Sequence, residues 1–290
     1  MRKFNVSEAD AGRRLDVFLA AQYPQFTRSS LEALFDKALV QINESTAKPS
    51  YKVKDSDVVR VDEMLLKAEP PVINLPIIYE DDDVIVINKP DGILTHSKGA
   101  LNLEASVASF IGPKLTDNKL SGNRAGIVHR LDRHTSGVII TAKNEPAQKW
   151  LQKQFSTRKV KKKYMAVAEG TLDPEKALID APIVRNPNRP QTFIVSANGK
   201  PAQTEYEAIG HITKHGRHYT LLSLSPRTGR THQLRVHLAY INHPIVGDNI
   251  YGHAGPKLLL HAESLELTLP DKSRKTFSAP LPDKIKGFDG

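Results

Sequence analysis

The sequence predicts an α+β protein in two parts: a small N-terminal α/β module, then a larger domain on a mixed, mostly antiparallel sheet. Three observations predict it. The 290 residues suit two domains. From residue 77 onward, short apolar runs of strand length recur with helices interspersed and without strict alternation. Between the parts, residues 64–76 (MLLKAEPPVINLP) hold three prolines. Proline restricts itself and the residue before it, so this stretch is expected to be an extended, stiff linker. The expected division is 1–63, 64–76 and 77–290.

In the N-terminal module, Leu15, Phe18 and Leu19 recur at helical spacing. Thr27 is placed to N-cap a second helix, whose Leu31, Leu34, Phe35 and Ala38 form one apolar stripe. Residues 40–43 read as a strand, Asp55-Ser56 as a turn, and residues 58–61 as another strand. Arg13, Arg14, Arg28 and Lys37 take exposed positions. Such a set is either a solvated face or a row of phosphate contacts that orients nucleic acid without reading bases.

In the larger domain, residues 84–88 read as a buried strand. Residues 144–155 read as a helix with Ala147, Trp150, Leu151 and Phe155 on one face. Residues 164–169 and 219–224 read as strands, 231–241 as a helix, and 258–269 as one or two strands. Segments 112–125 and 185–201 are rich in Gly, Pro, Asn and basic residues and read as loops. A unit of about 200 residues buries roughly 70% of its unfolded surface, so it needs no disulfides.

Composition narrows the function. The chain has no cysteine, which excludes disulfide frameworks, thiolate zinc sites and cysteine nucleophiles. Its first residues, MRKFNVSEADAGRRLD, lack the apolar stretch of a signal peptide. No run of about 18 apolar residues occurs, so a membrane span is not expected and a cytoplasmic location is. The formal net charge of +9 attracts polyanions, of which nucleic acid is the commonest.

The most informative stretch is HRLDRHTSG, residues 129–137, between a Gly/Asn/Arg loop and the apolar run VIIT. Loops that feed strands often carry catalytic groups. A lone loop aspartate is more often a turn or cap residue. Asp132, however, is flanked by Arg130 and Arg133, with His129 and His134 nearby. Cations favour the ionised carboxylate and keep it nucleophilic at neutral pH.

These motifs resemble known families. GRRLDVFLA and TRSSLEALFDKALVQIN resemble the RNA-binding module first known from a small-subunit ribosomal protein, also called the alpha-L motif, over about residues 12–62. HRLD followed by RHTSG resembles the signature of the RluA family of pseudouridine synthases. NKPDGILTH (88–96), KKKYMAVAEG (161–170), GRTHQLRVHLAYINHPIVGD (229–248), LLLHAESLELTLP (258–270) and FSAPLP (277–282) resemble its other segments, in order. The similarity covers about 77–282 and is to those members of the family that carry the N-terminal module.

The resemblance implies roles. Asp132 is the catalytic carboxylate, Tyr164 stacks beneath the uracil, and Arg235 pairs with Asp132 in a buried site. Arg130 helps flip the nucleotide or fills the space it leaves. A leucine among 258–260 packs near the base, with Leu259 and Leu260 the candidates. RNA contacts are expected from His129, Arg130, Arg133, Lys161 and Lys162, and from Arg13, Arg14 and Arg28. The reaction breaks a nitrogen–carbon glycosidic bond, rotates uracil and rebonds it through carbon 5. The base must leave the stack at a cost of about a few kcal/mol, and an aromatic platform returns roughly 1–3 kcal/mol. The carboxylate either adds to the substrate or abstracts a sugar proton. Reactant and product share the same atoms and oxidation state, so no cofactor is expected.

Other readings compete with these. Tyr164 also fits an ordinary core tyrosine. Arg235 also fits a surface ion pair worth roughly 0–1 kcal/mol. The 159–163 basic run also fits a solvated strand entrance. His232 and His237 are five apart on the expected helix and point about 140° apart, unlike i, i+4 metal ligands; no metal is expected. NGKPA (198–202) lacks the full phosphate-loop pattern. A glycosidase would need a second carboxyl opposite the first. The expected substrate is structured RNA, with large-subunit ribosomal RNA favoured and transfer RNA second, handled by a monomer. The rival is a non-catalytic RNA-binding protein of ribosome assembly.

Overall fold

The computed structural model describes residues 1–97, 101, 103–120 and 122–287. The chain divides into two compact units: 1–73 with 96–105 and 122–124, and the remainder. Among the described residues, no helix is long and apolar enough to cross a membrane.

The first unit contains β1 (Arg2–Asn5), α1 (Leu15–Gln22), α2 (Arg28–Asp36), β2 (Val40–Ile42), β3 (Ser45–Thr46), β4 (Val58–Val61) and α3 (Met64–Lys67). Its sheet has the order β1-β4-β2-β3, with antiparallel pairs throughout. Thr27 caps α2 by accepting from the Ser30 N–H. Leu15, Phe18 and Leu19 of α1 meet Leu31, Leu34 and Phe35 of α2 in one core, closed by Val40, Val59 and Val61 from the sheet. Ala38 leaves the expected stripe: it is exposed, with left-handed backbone beyond the end of α2. The segment expected as an extended linker begins instead with α3. Leu65 is buried in the first unit's core, and that burial outweighs the neighbouring prolines, which sit after the helix.

The second unit contains β5 (Ile77–Glu80), β6 (Val84–Lys89), α4 (Val107–Ile111), β7 (Ser136–Ala142), α5 (Glu145–Ser156), β8 (Lys161–Glu169), β9 (Lys176–Asp180), β10 (Ile183–Arg185), β11 (Phe193–Val195), β12 (Gln203–Lys214), β13 (Arg217–Pro226), α6 (Gln233–Tyr240), β14 (Leu260–Thr268), β15 (Arg274–Ser278) and α7 (Asp283–Lys286). Its main sheet runs β5-β6-β7-β14-β8-β13-β12-β9, and β15 also pairs with β14. Among the described strands of this sheet the short β7–β14 join alone is parallel, so the α+β, mostly antiparallel expectation holds.

Two helices shape the site. The Asn144 side chain accepts from the Ala147 N–H to cap α5, and proline follows in the first turn. Ala147 and Leu151 of α5 pack on Val84, Val86, Val138 and Ile140 of β6 and β7. Burying a leucine such as Leu151 contributes about 1.5–3 kcal/mol. Leu234 and Leu238 of α6 pack on Ala166, Ala168, Leu222 and Leu224 of β8 and β13. The 185–201 stretch expected as loop holds a short strand, β11, hairpinned to β10. The 112–125 stretch is mostly turns after a short 3-10 helix, Gly112–Lys114; its Ser121 lies outside the described residues.

Candidate active site

Asp132 stands on the loop between α4 and β7, and the NKPDGILTH segment pins that loop. The Thr95 hydroxyl donates to the Leu131 carbonyl at 2.7 Å and accepts from the Leu131 N–H at 3.1 Å. Lys89 is fully buried at the end of β6, and its amine donates to the carbonyls of Pro90, Ile93 and Arg133. Burial pushes that amine down to about 8, partly opposed by the charges of Asp91 and Asp132. Gly137 then lets the chain enter β7. Its φ is +111°, and a Cβ there would meet the Ala262 carbonyl oxygen at 2.1 Å.

Arg235, in the first turn of α6, faces Asp132. Its Nη1 lies 3.7 Å from Asp132 Oδ2. Its shortest contacts go elsewhere: Nε and Nη2 donate to the two oxygens of Asp248, each at 2.7 Å. The expected pairing with Asp132 is thus secondary, because buried Asp248 matches the guanidinium fork in a bidentate pair. Asp248 also accepts from the N–H groups of Ile250 and Tyr251. Burial raises the Asp248 carboxyl, but Arg235 and these N–H groups outweigh it and hold the group low. Arg235 is buried and is no surface ion pair.

Asp132, Arg130, His129, Lys162, Tyr164, Arg235 and Leu260 all line one cleft of about 540 Å³ between the C-terminal end of α5 and the N-terminal end of α6. Tyr164 on β8 forms part of its floor. Burial first, and the Asp132 charge second, push its phenol up, so it stays protonated. Among the described residues that line the cleft, Asp132 is the one carboxylate, set among Arg130, Arg158, Lys162, Arg227, Arg230 and Arg235. Lys162 donates to the Thr228 carbonyl at 3.0 Å, and burial pushes its amine down to about 8.

Other expected residues lie elsewhere. Lys161 alternates to the other side of β8 and pairs with Glu266 at 3.3 Å. Leu259 packs with Met165, Val167 and Leu221 on the sheet face away from the cleft, which leaves Leu260 as the leucine in the cleft. Arg133 does not line the cleft; its carbonyl serves Lys89 and the Gly92 N–H. His134 is exposed and bonds Asp91 at 3.1 Å. His129 is no cation: its Nε2 accepts from the Ile140 N–H at 3.0 Å, and its ring stacks on Phe155. Burial and the Lys162 charge push it down to about 3. In the first unit, Arg14 and Arg28 both grip buried Asp16, and Arg13 pairs with Asp10.

Sequence reasoning missed Asp248, His232, Tyr251, Arg158, Arg227 and Arg230. Asp248 closes the GRTHQLRVHLAYINHPIVGD segment, so its place in that motif was the available signal. His232 Nε2 lies 3.9 Å from Asp132 Oδ2, whereas His237 is buried between Thr204 and the Ala181 carbonyl. Among the described residues, no group of three or more His, Asp or Glu is arranged to hold a metal ion. The cleft can therefore present one carboxylate, a partly buried ring and several cations to a flipped nucleotide.

Comparison with known proteins follows the same division. A family model described as RNA pseudouridylate synthase matches residues 83–240, and an S4 domain model matches residues 13–59. The chain is 36% identical to the ribosomal large subunit pseudouridine synthase D of Borreliella burgdorferi, over 99% of this chain and 91% of that one. It is 39% identical to the protein of that name from Escherichia coli K12, over 85% of this chain and 75% of that one. The structure of human RNA Pseudouridylate Synthase Domain Containing 1 is similar, with a TM-score of 0.59 and 27% identity, covering 73% of this chain and 86% of that one.

Proposed function

The chain belongs to the RNA pseudouridylate synthase family, a family of isomerases, and from that premise we propose that it acts on large-subunit ribosomal RNA with Asp132 as the reacting carboxylate. The observation that carries the site reading is the setting of Asp132: one carboxylate, beside a buried arginine and with a partly buried tyrosine, in a cleft whose other charged side chains are cations.

The reaction breaks the N1–C1′ bond and forms C5–C1′; carbon 5 loses a proton and N1 gains one. The target atoms are out of reach in a stacked base, so the nucleotide is extruded into the cleft. Tyr164 gives the uracil a stacking surface, with Leu260 beside it. Arg130 is exposed at the cleft edge, where it can occupy the space the base leaves. Arg235 is already neutralised by Asp248, so it stabilises the Asp132 carboxylate without quenching it. Addition to C1′ and abstraction of a sugar proton both need that anionic oxygen at the ribose.

The ribosomal substrate is supported by the names of the relatives and by the S4 domain match, a module that adds a second RNA contact. The same reading has the chain working as a monomer in the bacterial cytoplasm. The test is tritium release from RNA labelled at uridine carbon 5, with large-subunit ribosomal RNA and transfer RNA as separate substrates. Release is expected from the ribosomal RNA with wild type and not with Asp132→Ala. Equal release by both proteins overturns the role of Asp132, and release from transfer RNA alone overturns the substrate.

A further inference from the structure

Behind Asp132 stands a short chain of groups that the reaction described above leaves unused: His232, Tyr251 and the backbone of Phe193. His232 precedes α6 with φ 56°, a left-handed conformation that non-glycine residues rarely adopt, and its side chain makes no cap bond to the helix. That backbone points the ring into the cleft, with Nε2 3.9 Å from Asp132 Oδ2. The other nitrogen, Nδ1, lies 2.7 Å from the Tyr251 hydroxyl. That hydroxyl already accepts from the Phe193 N–H at 3.0 Å. Its own proton is therefore free to be donated to Nδ1. A neutral imidazole that accepts at Nδ1 carries its proton on Nε2. The opposite tautomer would aim the Nε2 lone pair at the carboxylate. Edge-on contacts from Phe193 and Tyr251, each at 5.6 Å, fix the ring plane.

We propose that His232 is a positioning residue for Asp132: its Nε2–H, fixed by Tyr251, closes onto Oδ2 when RNA fills the cleft and leaves Oδ1 to meet the ribose. The proposal rests on the reading of Asp132 as the reacting carboxylate. The charged groups facing the ring are Asp132, Arg235, Asp248 and Arg130. Burial lowers the imidazole, Arg235 and Arg130 reinforce this, and the two aspartates oppose it without prevailing. The ring is thus neutral at pH 7, as the tautomer argument requires. His129 cannot take this part, because its Nε2 is already an acceptor.

Two measurements on the full chain test the proposal. In nitrogen-15 spectra of histidine-labelled protein, His232 should show a pyridine-like Nδ1 and a pyrrole-like Nε2, assigned by their loss in His232→Gln. Tyr251→Phe should yield a mixture of tautomers. A pyrrole-like Nδ1 in the wild type overturns the proposal whatever the activity. In kinetics, His232→Phe should lower kcat about 100-fold, the cost of a misplaced reacting group, while KM stays about unchanged. His232→Gln, which keeps an N–H near the Nε2 position, should recover most of that loss. Tyr251→Phe should lower kcat alone yet add nothing to His232→Phe. A Gln variant as impaired as Phe, or a loss seen only in KM and Tm, overturns it. Asp132→Ala is run alongside. If that variant is inactive while the His232 pattern fails, the positioning role falls and the reading of Asp132 stands. If that variant is active, both fall.

Discussion

Arg235 stands between two carboxylates, with its nitrogens 2.7 Å from Asp248 and 3.7 Å from Asp132. Arg235, Tyr164 and Arg130 each sit in short runs that carry their own signal. The Arg235–Asp248 pair depends on two residues 13 apart that only the fold brings together. Sequence periodicity cannot report that the guanidinium serves Asp248 first. Asp248→Asn should destabilise the protein by about 3–5 kcal/mol, because it leaves a buried arginine without its counter-charge. Denaturant melts check this, and an unchanged midpoint would show that the pair is not stabilising. Lys162 gives a pH prediction. Its folded value is about 8, below the ordinary lysine value of 10.5. Between those values the unfolded chain binds the extra proton, so this group's contribution to stability rises with pH across that window. The Tm of wild type relative to Lys162→Met should shift in favour of wild type from pH 8 to 10.5. A flat or opposite trend refutes the assignment.

At the scale of elements, those with their own stop and start signals are legible. Thr27 before α2 and Asn144 before α5 both cap as their residue types predict. The strand β12 is less so. Its sequence, QTEYEAIGHITK, is largely polar beyond Ala208, where it pairs with β13 as an exposed hairpin. The short β11 is held by its hairpin with β10 and by a tertiary bond, the Phe193 N–H to the Tyr251 hydroxyl, which no local pattern announces. Gly137 marks the join of loop and β7 most sharply. Gly137→Ala should cost more than about 1 kcal/mol, since both the positive φ and the Ala262 carbonyl oppose a Cβ. Loss of activity should accompany it, because the entry to β7 sets the Asp132 loop. A Tm equal to wild type would contradict both.

For the whole molecule, composition had already pointed at a polyanion. The net charge of +9 is expressed locally as a cationic cleft in one unit and arginines held by Asp16 in the other. Asp16 is not legible in the sequence, since a buried acid between two arginines has no periodic signature. It draws Arg14 and Arg28 into fixed poses while each stays largely exposed. If both reach phosphates, replacing them with glutamine should weaken RNA binding and flatten the log–log salt slope by roughly 1.5. An unchanged slope, measured by filter binding over a salt series, would assign those arginines to the module's own stability.

The order of the large sheet also decides when this site can exist. The loop with Asp132 belongs to the strands β6 and β7, and Tyr164 to the strand β8. The strand seated between β7 and β8 is β14, supplied only near residue 260. Its contacts with β7 include a hydrogen bond between Ser136 and His261, 125 residues apart in sequence. Such long-range closure is entropically costly and slow. The two halves of the sheet therefore stay unjoined until the residues near 260 are available. Asp132 and Tyr164 are thus brought together late in folding, when β14 enters between their strands.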